Sequence, residues 1–305
     1  MIQGEFESGN GNDHIVCALQ AGKKKIFRRN GIEYERLADH IGLIPLVVIA
    51  PEDTGILSGG SDERRRFIDS VISQTDKIYL DNLINYFKAL EQRNRLLKQF
   101  AINKKVDYDA IESWNRKLIT PGEMIFRTRK VFLNSFIPLF NEFYSSLCNT
   151  ETVDMEYYSQ LNESALESLM TESIQKDLAV EYTTTGIHKD DLIFKIASHP
   201  VKRFGSQGQQ KSFIIALKLA VHRFLYTNKN VAPILLLDDI FDKLDLSRIN
   251  KLMTLLTGKS TNYMGQIVIT DTHPERLTTI LRSCSTNFRI YAVENGMVRK
   301  LKIEN

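Results

Sequence analysis

Two adjacent carboxylates, Asp238 and Asp239, close a run of four apolar residues, Ile234 to Leu237. Such a run reads as a buried strand, and in open α/β sheets ligands bind at the C-terminal ends of the strands. A carboxylate placed there, Asp238, can hold Mg2+ directly or through water, and the ion then bridges phosphate oxygens. The next acid, Asp239, is placed to polarise an attacking water. Taken alone, the pair could equally cap a strand-to-helix turn. It does not stand alone.

Upstream runs Phe204-Gly205-Ser206-Gln207-Gly208-Gln209-Gln210-Lys211-Ser212, opening directly into an apolar helix from Phe213 to Leu225. A small Gly- and Ser-rich loop at a helix N-terminus offers backbone N–H groups and the positive end of the helix dipole to an anion. Downstream come Leu244-Asp245 and an apolar strand ending in Thr270-Asp271-Thr272-His273. One decoy is set aside: Gly205-x-x-Gly208-x-x-Lys211-Ser212 has the flavour of a phosphate loop, but that loop needs Gly immediately before Lys-Ser/Thr. Gln210 stands there instead, and no other segment of the 305 residues matches.

The elements that must position these residues show in the periodicity. Residues 1–50 have strand character, with Val16 and Ala18 flanked by His14 and Gln20, then Lys25 to Arg28, Asn30-Gly31, and Ile32 and Tyr34. Asn-Gly between short β-compatible runs is a strong hairpin signal. Pro45 to Ile49 has the length of a buried strand and stops at Pro51. From Ser61 to Ser173 the period becomes helical: Leu80, Leu83, Ile84, Phe87, Leu90 and Leu97 share one face. Met124 to Leu147 predicts a second long helix, with a kink or break at Pro138. After Val180 the α/β pattern resumes. Helices are expected at 209–226 and 246–256, strands at 233–237 and 266–270, and a hairpin about Asn295-Gly296. All-apolar strands alternating with helices imply a sheet covered on both faces. The chain therefore divides into 1–75, the first part of an α/β lobe; 76–178, an inserted all-helical lobe; and 179–305, the return of the first lobe.

Composition sets wide bounds. A hydrophobic content of 43% and a charged content of 25% are ordinary for a globular protein, and a net charge of +3 does not announce nucleic acid. Local basic faces remain: Lys23, Lys24, Lys25, Arg28 and Arg29 beside a hairpin, and Arg64, Arg65 and Arg66 at a helix start, all suited to neutralising phosphate. Equally, a lysine run protects a strand edge, and the arginines can pair with Asp62, Glu63 or Asp69. Cys17, Cys148 and Cys284 form no CxxC pair, which fits a reducing compartment and no structural zinc. With no signal peptide and no window long enough to span a membrane, a cytoplasmic location is expected.

The order of signature-like loop, helix, acidic strand, Asp245 and terminal strand resembles an ABC-type ATPase. The wording is most similar to the RecF family of its SMC-like DNA-repair branch. Ala50 to Asp53 and Gly59 to Asp69 resemble "PED…GGPxxRRxFLD", and Gly186 to Leu192 resembles "GPHRxDL". Ser206 to Ala220 resembles "SQGQQR…ALKLA", and Asp238 to Asp245 resembles "DDxxxELD" with Lys243 in place of Glu. The resemblance implies an α/β fold, an ABC head with a mixed sheet flanked by helices, and a helical second lobe. It implies a slow ATPase using ATP and Mg2+ that dimerises on ATP and binds single-stranded and gapped duplex DNA. With RecO and RecR it would help load RecA, in recombination, replication restart and the SOS response. By resemblance Ser206, Gln207, Gly208, Gln209 and Lys211 form the signature that meets the γ-phosphate of the opposite subunit. Asp238 serves Mg2+, Asp239 stands at the catalytic acid, and Asp245 is the D-loop acid. Ala50 to Asp53 lies at the Q-loop without a Gln, and His273 follows the switch strand beside Asp271 and Thr272. His188 and Asp190 could line the nucleotide or DNA face, or simply bond a loop. RecF proteins begin with strand, phosphate loop and helix, whereas this chain begins at what resembles an internal strand. An incomplete phosphate cradle is therefore expected, and a non-catalytic DNA- or partner-binding role is the rival reading.

Overall fold

A computed structural model describes residues 1–8, 11–148, 151–242, 244–258, 263–282 and 288–301; Lys243 and Cys284 lie outside them. Strands β1 (Ile2–Ser8), β2 (Gly11–Ala18), β3 (Ile26–Arg29) and β4 (Ile32–Glu33) form an antiparallel sheet in that order. The Asn30-Gly31 turn sets Arg29 opposite Ile32. Its two residues have φ of 52° and 84°, the left-handed pair a two-residue hairpin turn requires. Strand β5 (Leu46–Ile49) follows and belongs to a different sheet.

A short helix α1 (Gly55–Ser58) leads into α2 (Ser61–Thr75), whose Phe67, Ile68, Val71 and Ile72 are buried. Helix α3 (Lys77–Asn103) starts where the Asp76 carboxylate accepts the Tyr79 N–H at 2.9 Å. Helix α4 (Tyr108–Leu147) is capped in the same way by Asp107. It runs 40 residues without interruption through Pro121 and Pro138, so of the kink or break expected at Pro138 the break does not occur. A proline inside a helix costs about 3 kcal/mol. The aromatic face of α4 offsets it, burying Phe132, Phe136, Phe140 and Tyr144 around Phe213 and Phe224.

The stretch expected to stay helical is broken by strand β6 (Val153–Tyr158) before helices α5 (Leu166–Glu172) and α6 (Ile174–Val180). Strand β7 (Asp191–Ile196) pairs antiparallel with β6, and β8 (His199–Pro200) with β7. Then come α7 (Val201–Phe204), α8 (Gln207–Lys229), β9 (Ile234–Asp238), α9 (Leu246–Thr257), β10 (Ile267–Thr270) and α10 (Pro274–Arg282). Strands β11 (Tyr291–Glu294) and β12 (Met297–Lys300) close the Asn295-Gly296 hairpin.

The functional sheet is parallel, in the order β10-β9-β5. Val47, Ile49, Leu235 and Leu237 are buried on one of its faces in a core shared with α8. The opposite face differs from the expected two-sided cover. Leu46, Val48 and Val268 there are 39%, 37% and 41% exposed among the described residues. One continuous core links β5, α2, α4, α8 and α9, so the helical lobe is rooted in the head; Leu97, Phe100 and Ile111 form a small separate cluster. No described helix is long and apolar enough to cross a membrane.

A buried polar knot ties lobe to head. Arg129 of α4, fully buried, donates to both oxygens of Asp69 on α2 at 2.8 and 3.1 Å, to Asp190 at 2.8 Å and to the Ile187 carbonyl at 2.9 Å. The Tyr79 hydroxyl bonds Asp69, and the Tyr157 hydroxyl bonds Asp190. A second buried pair, Arg93 with Asp177 at 2.7 Å, anchors α6 to α3. Gly186 opens the intervening loop at φ 121°. The Tyr86 O–H donates to His188 Nδ1 at 2.9 Å while Nε2–H donates to the Thr183 carbonyl at 3.1 Å, an arrangement that suits neutral imidazole. Burial pushes His188 down to about 4.

Candidate functional site

The site grows from the end of β9. Leu235 and Leu237 are buried, and the strand delivers Asp238 to the surface. The Thr270 hydroxyl of β10 donates to Asp238 Oδ1. Asp239 takes a left-handed φ of 47°, and its N–H donates to the Thr270 carbonyl at 3.2 Å. Such a backbone is uncommon outside glycine, although aspartate tolerates it better than most residues. Ile240 and Phe241, both buried, pin the turn. Asp245 then caps α9, its carboxylate accepting the Arg248 N–H at 2.9 Å while its side chain stays exposed. Beyond β10, exposed His273 lies 3.0 Å from the Thr272 hydroxyl.

Arg276, three residues into that descent and unmarked by any motif, gathers this edge. It donates to Asp271 at 2.7 Å and Asp242 at 3.1 Å and stands 4.0 Å from Asp239. The guanidinium holds the Asp242 carboxyl below its usual range. Asp239 Oδ1 is buried with no hydrogen-bond partner, and so is Arg276 Nε.

The second part of the site is the N-terminus of α8. The Ser206 hydroxyl accepts the Gln209 N–H at 3.3 Å, and Gln209 Oε1 accepts the Ser206 N–H at 2.7 Å, a reciprocal capping box. The Gln209 amide also donates to Glu151 at 2.8 Å, and Glu151 accepts the Tyr144 hydroxyl at 2.7 Å. The first turn is thereby tied to the end of α4. Ser206 and Gln207 are exposed and Gly208 is half-buried. Lys211 is separated from them: it is buried, and its ammonium donates to the Asp239 carbonyl at 3.3 Å. Lys218 further along α8 donates to the Val48 carbonyl at 2.9 Å and pairs with Asp53 at 2.5 Å, fixing the turn after β5 to the same sheet edge.

No family model matches the chain. A DNA replication and repair protein RecF of Flavobacterium johnsoniae is 48% identical over 292 residues, covering 95% of this chain and 80% of the relative. That of Phocaeicola vulgatus is 45% identical over 305 residues, covering 99% and 81%. The chain belongs to the RecF family. A solved structure described as the recombination mediator protein RecF-ATP in the RecFOR pathway superposes with a TM-score of 0.84 at 25% identity, covering 98% of this chain and 79% of its own. The RecF fold, an ABC-type head carrying a helical lobe, is thus the fold of this chain, and its relatives are DNA replication and repair proteins.

The donor set at β9 fits the divalent cation that a RecF protein implies. Asp238 is exposed, and Asp239 holds an oxygen with no donor. No cluster of three or more His, Cys, Asp or Glu able to hold a metal occurs among the described residues. Mg2+ would need only one or two carboxylates here, with water and substrate phosphate filling its remaining positions.

The basic residues of this RecF chain separate into two groups. Lys23, Lys24 and Lys25 are exposed in the β2–β3 connection, apart from the β9 edge in the fold's sheet order. Arg28 lies near Glu33 at 4.0 Å, and Arg29 forks onto Asp13 at 2.6 and 3.0 Å. Arg64 and Arg65 follow the pairing alternative. Arg64 forks onto Asp191 at 2.7 and 3.0 Å, and Arg65 donates to the Asp190 carbonyl at 2.5 Å and to Asp62. Both guanidiniums are largely buried and hold α2 against β7. Asp190 belongs to the interior knot, whereas half-buried His188 lies beside it and lines an open cavity with Ser61, Arg65, Arg66 and Lys189.

Proposed function

We propose that the chain is the ATP-responsive, DNA-binding component of a cytoplasmic RecF-type repair system, acting on single-stranded and gapped duplex DNA with RecO and RecR. The observation that carries it is the Asp238-Asp239 pair at the C-terminal edge of a parallel strand, joined through Lys211 to the anion-facing N-terminus of α8. In this reading Asp238 is the Mg2+ ligand and Asp239 orients and deprotonates the attacking water. Bound Mg2+ would neutralise charge on the β- and γ-phosphate oxygens. Ser206, Gln207 and Gly208 present the hydroxyl and N–H groups of a helix N-terminus to the γ-phosphate of a second copy, which makes the site a property of a homodimer. Gln209 holds that turn through its capping box, and Lys211 holds the Walker B turn from inside. Asp245 fixes the start of α9 at the dimer-facing D-loop, and His273 stands where a switch residue senses the γ-phosphate.

The backbone cradle for the β- and γ-phosphates is a sequence these 305 residues do not contain. Purified alone, the chain is expected to bind Mg2+-ATP no tighter than about millimolar, an affinity of about 4 kcal/mol. With a family phosphate-loop segment joined upstream, hydrolysis should appear, and Asp239→Asn should abolish it while ATP binding survives. Normal turnover by Asp239→Asn would remove the role given to that acid. The DNA arm is tested by titrating a gapped duplex at increasing salt. Affinity should fall steeply, and the slope should flatten when Lys23, Lys24 and Lys25 become Gln, each phosphate contact contributing about 0.9 to the slope. A salt-independent affinity would leave the basic ribbon without a role.

A further inference from the structure

We infer that Arg276 is a positioning residue that stands in for the divalent cation at the acidic edge and yields to it. This deepens the proposed reading of Asp238 and Asp239 and rests on it. Three carboxylates from separate segments converge on the one guanidinium: Asp239 after β9, Asp242 in the following loop and Asp271 after β10. Arg276 is the partner at 2.7 Å for Asp271, whose side chain is fully buried. Burying a carboxylate without a countercharge is prohibitive, so this contact is the permanent one. The reach towards Asp239 is incomplete. At 4.0 Å it is an attraction without a hydrogen bond, and both Asp239 Oδ1 and Arg276 Nε are left without partners. Its Nη1 and Nη2 donors are committed to Asp242 and Asp271, and its remaining Nε–H meets no acceptor.

The other charged groups at this edge do not take its place. His273 Nδ1 lies 3.6 Å from Asp271 on the solvent side, and Lys211 contacts the Asp239 backbone carbonyl. Arg276, 4.0 Å from the Asp239 carboxylate, is therefore a cation that a metal on the same carboxylate must repel. Arg276 sits in the first turn of α10, directly after Thr272 and His273. Release from Asp239 leaves it on Asp271 and Asp242, so metal arrival at β9 is transmitted to the start of α10. The switch segment then senses the metal as well as the phosphate.

The test is Mn2+ binding to the chain without nucleotide, followed by the electron paramagnetic resonance signal of free Mn2+. Arg276→Gln should tighten Mn2+ binding on the order of five- to tenfold, the effect of removing one positive charge about 4 Å from the ligand in a partly solvated site. Arg276→Lys, which keeps the charge on a stem without the fork, should fall between wild type and Arg276→Gln. It decides the matter if Arg276→Gln does not fold. Asp239→Asn in the Arg276→Gln background should erase the gain. A purely architectural Arg276 predicts weaker or unchanged binding in both variants, and that outcome overturns the inference. If Asp238→Asn and Asp239→Asn leave Mn2+ affinity untouched in every background, the cation is elsewhere and the reading of the Walker B acids fails instead.

Discussion

Replacing Arg129 by Met removes a fully buried cation that helps hold the helical lobe to the head, while keeping most of its volume. In wild type the guanidinium is fully buried and donates to Asp69, Asp190 and the Ile187 carbonyl. Removing one partner of a buried ion pair costs about 3–5 kcal/mol, because the surviving charge has lost its compensation. Here two carboxylates and a carbonyl are abandoned together, which places the expected loss near 5 kcal/mol, a large part of a typical total of about 5–15. The single tryptophan, Trp114, lies on the same helix and reports unfolding by its fluorescence. With a urea slope of about 3 kcal/mol per molar, the midpoint should fall by about 1.7 M. Adding Asp69→Asn and Asp190→Asn should recover about half of the loss, since amides leave no unpaired charge. A loss below about 2 kcal/mol, or a triple variant no more stable than Arg129→Met, would refute the argument.

Three smaller effects follow from the same geometry. His188 is neutral in the fold and pushed down to about 4 from an ordinary 6.5, chiefly by burial, with Lys189 and Arg65 adding to the shift and Asp177 opposing it. The unfolded chain therefore binds the extra proton between pH 6.5 and 4, so this contribution is full above pH 6.5 and is lost as pH falls towards 4. It amounts to about 3 kcal/mol, and His188→Gln should flatten the urea midpoint against pH by that much; an unchanged slope would show that the imidazole is not held neutral. Gly186→Ala meets both a φ of 121° and the Tyr86 hydroxyl, and should cost about 3 kcal/mol in thermal unfolding. Pairing it with Tyr86→Phe should restore only the clash component, and full restoration would disprove the backbone part. Asp245→Ala removes the cap of α9 and should cost about 1 kcal/mol by the same denaturation assay, with Asp245→Asn near neutral; equal losses for both would point to charge rather than capping.

The strand and turn at β9 were legible because their cues are local. Four apolar residues followed by two acids specify both the strand and its exit, and Ser206 with Gln209 writes a capping box into consecutive sequence. Asn30-Gly31 and Asn295-Gly296 announced their turns for the same reason. The misses have distant partners. For Arg64 and Arg65 the sequence offered either phosphate or a nearby acid; Arg65 does meet Asp62, but the Asp191 carboxylate and Asp190 carbonyl that complete the pairing lie more than a hundred residues away in sequence. Asp69, a candidate partner for them, belongs instead to Arg129. Arg276 was invisible because its three acids meet only when β9 and β10 pair. Strand β6 was missed because its six residues sit between long helical periods, and its pairing partner β7 begins more than thirty residues later. Pro138 failed as a breaker because its cost is local, whereas the aromatic contacts that outweigh it come from α8.

The unbroken helix through Pro121 and Pro138 makes the helical lobe a lever. Forty residues at 1.5 Å each form a rod about 60 Å long. Its inner end, through Tyr144 and Glu151, grips Gln209 at the start of α8. Its inner half cannot swing, because Arg129 and the face from Phe132 to Tyr144 lie in the core. The arm is therefore the outer half, about 30 Å from Tyr108 to Arg129, and one degree of bend at Arg129 moves the tip by about 0.5 Å while the half that carries the signature turn stays in place.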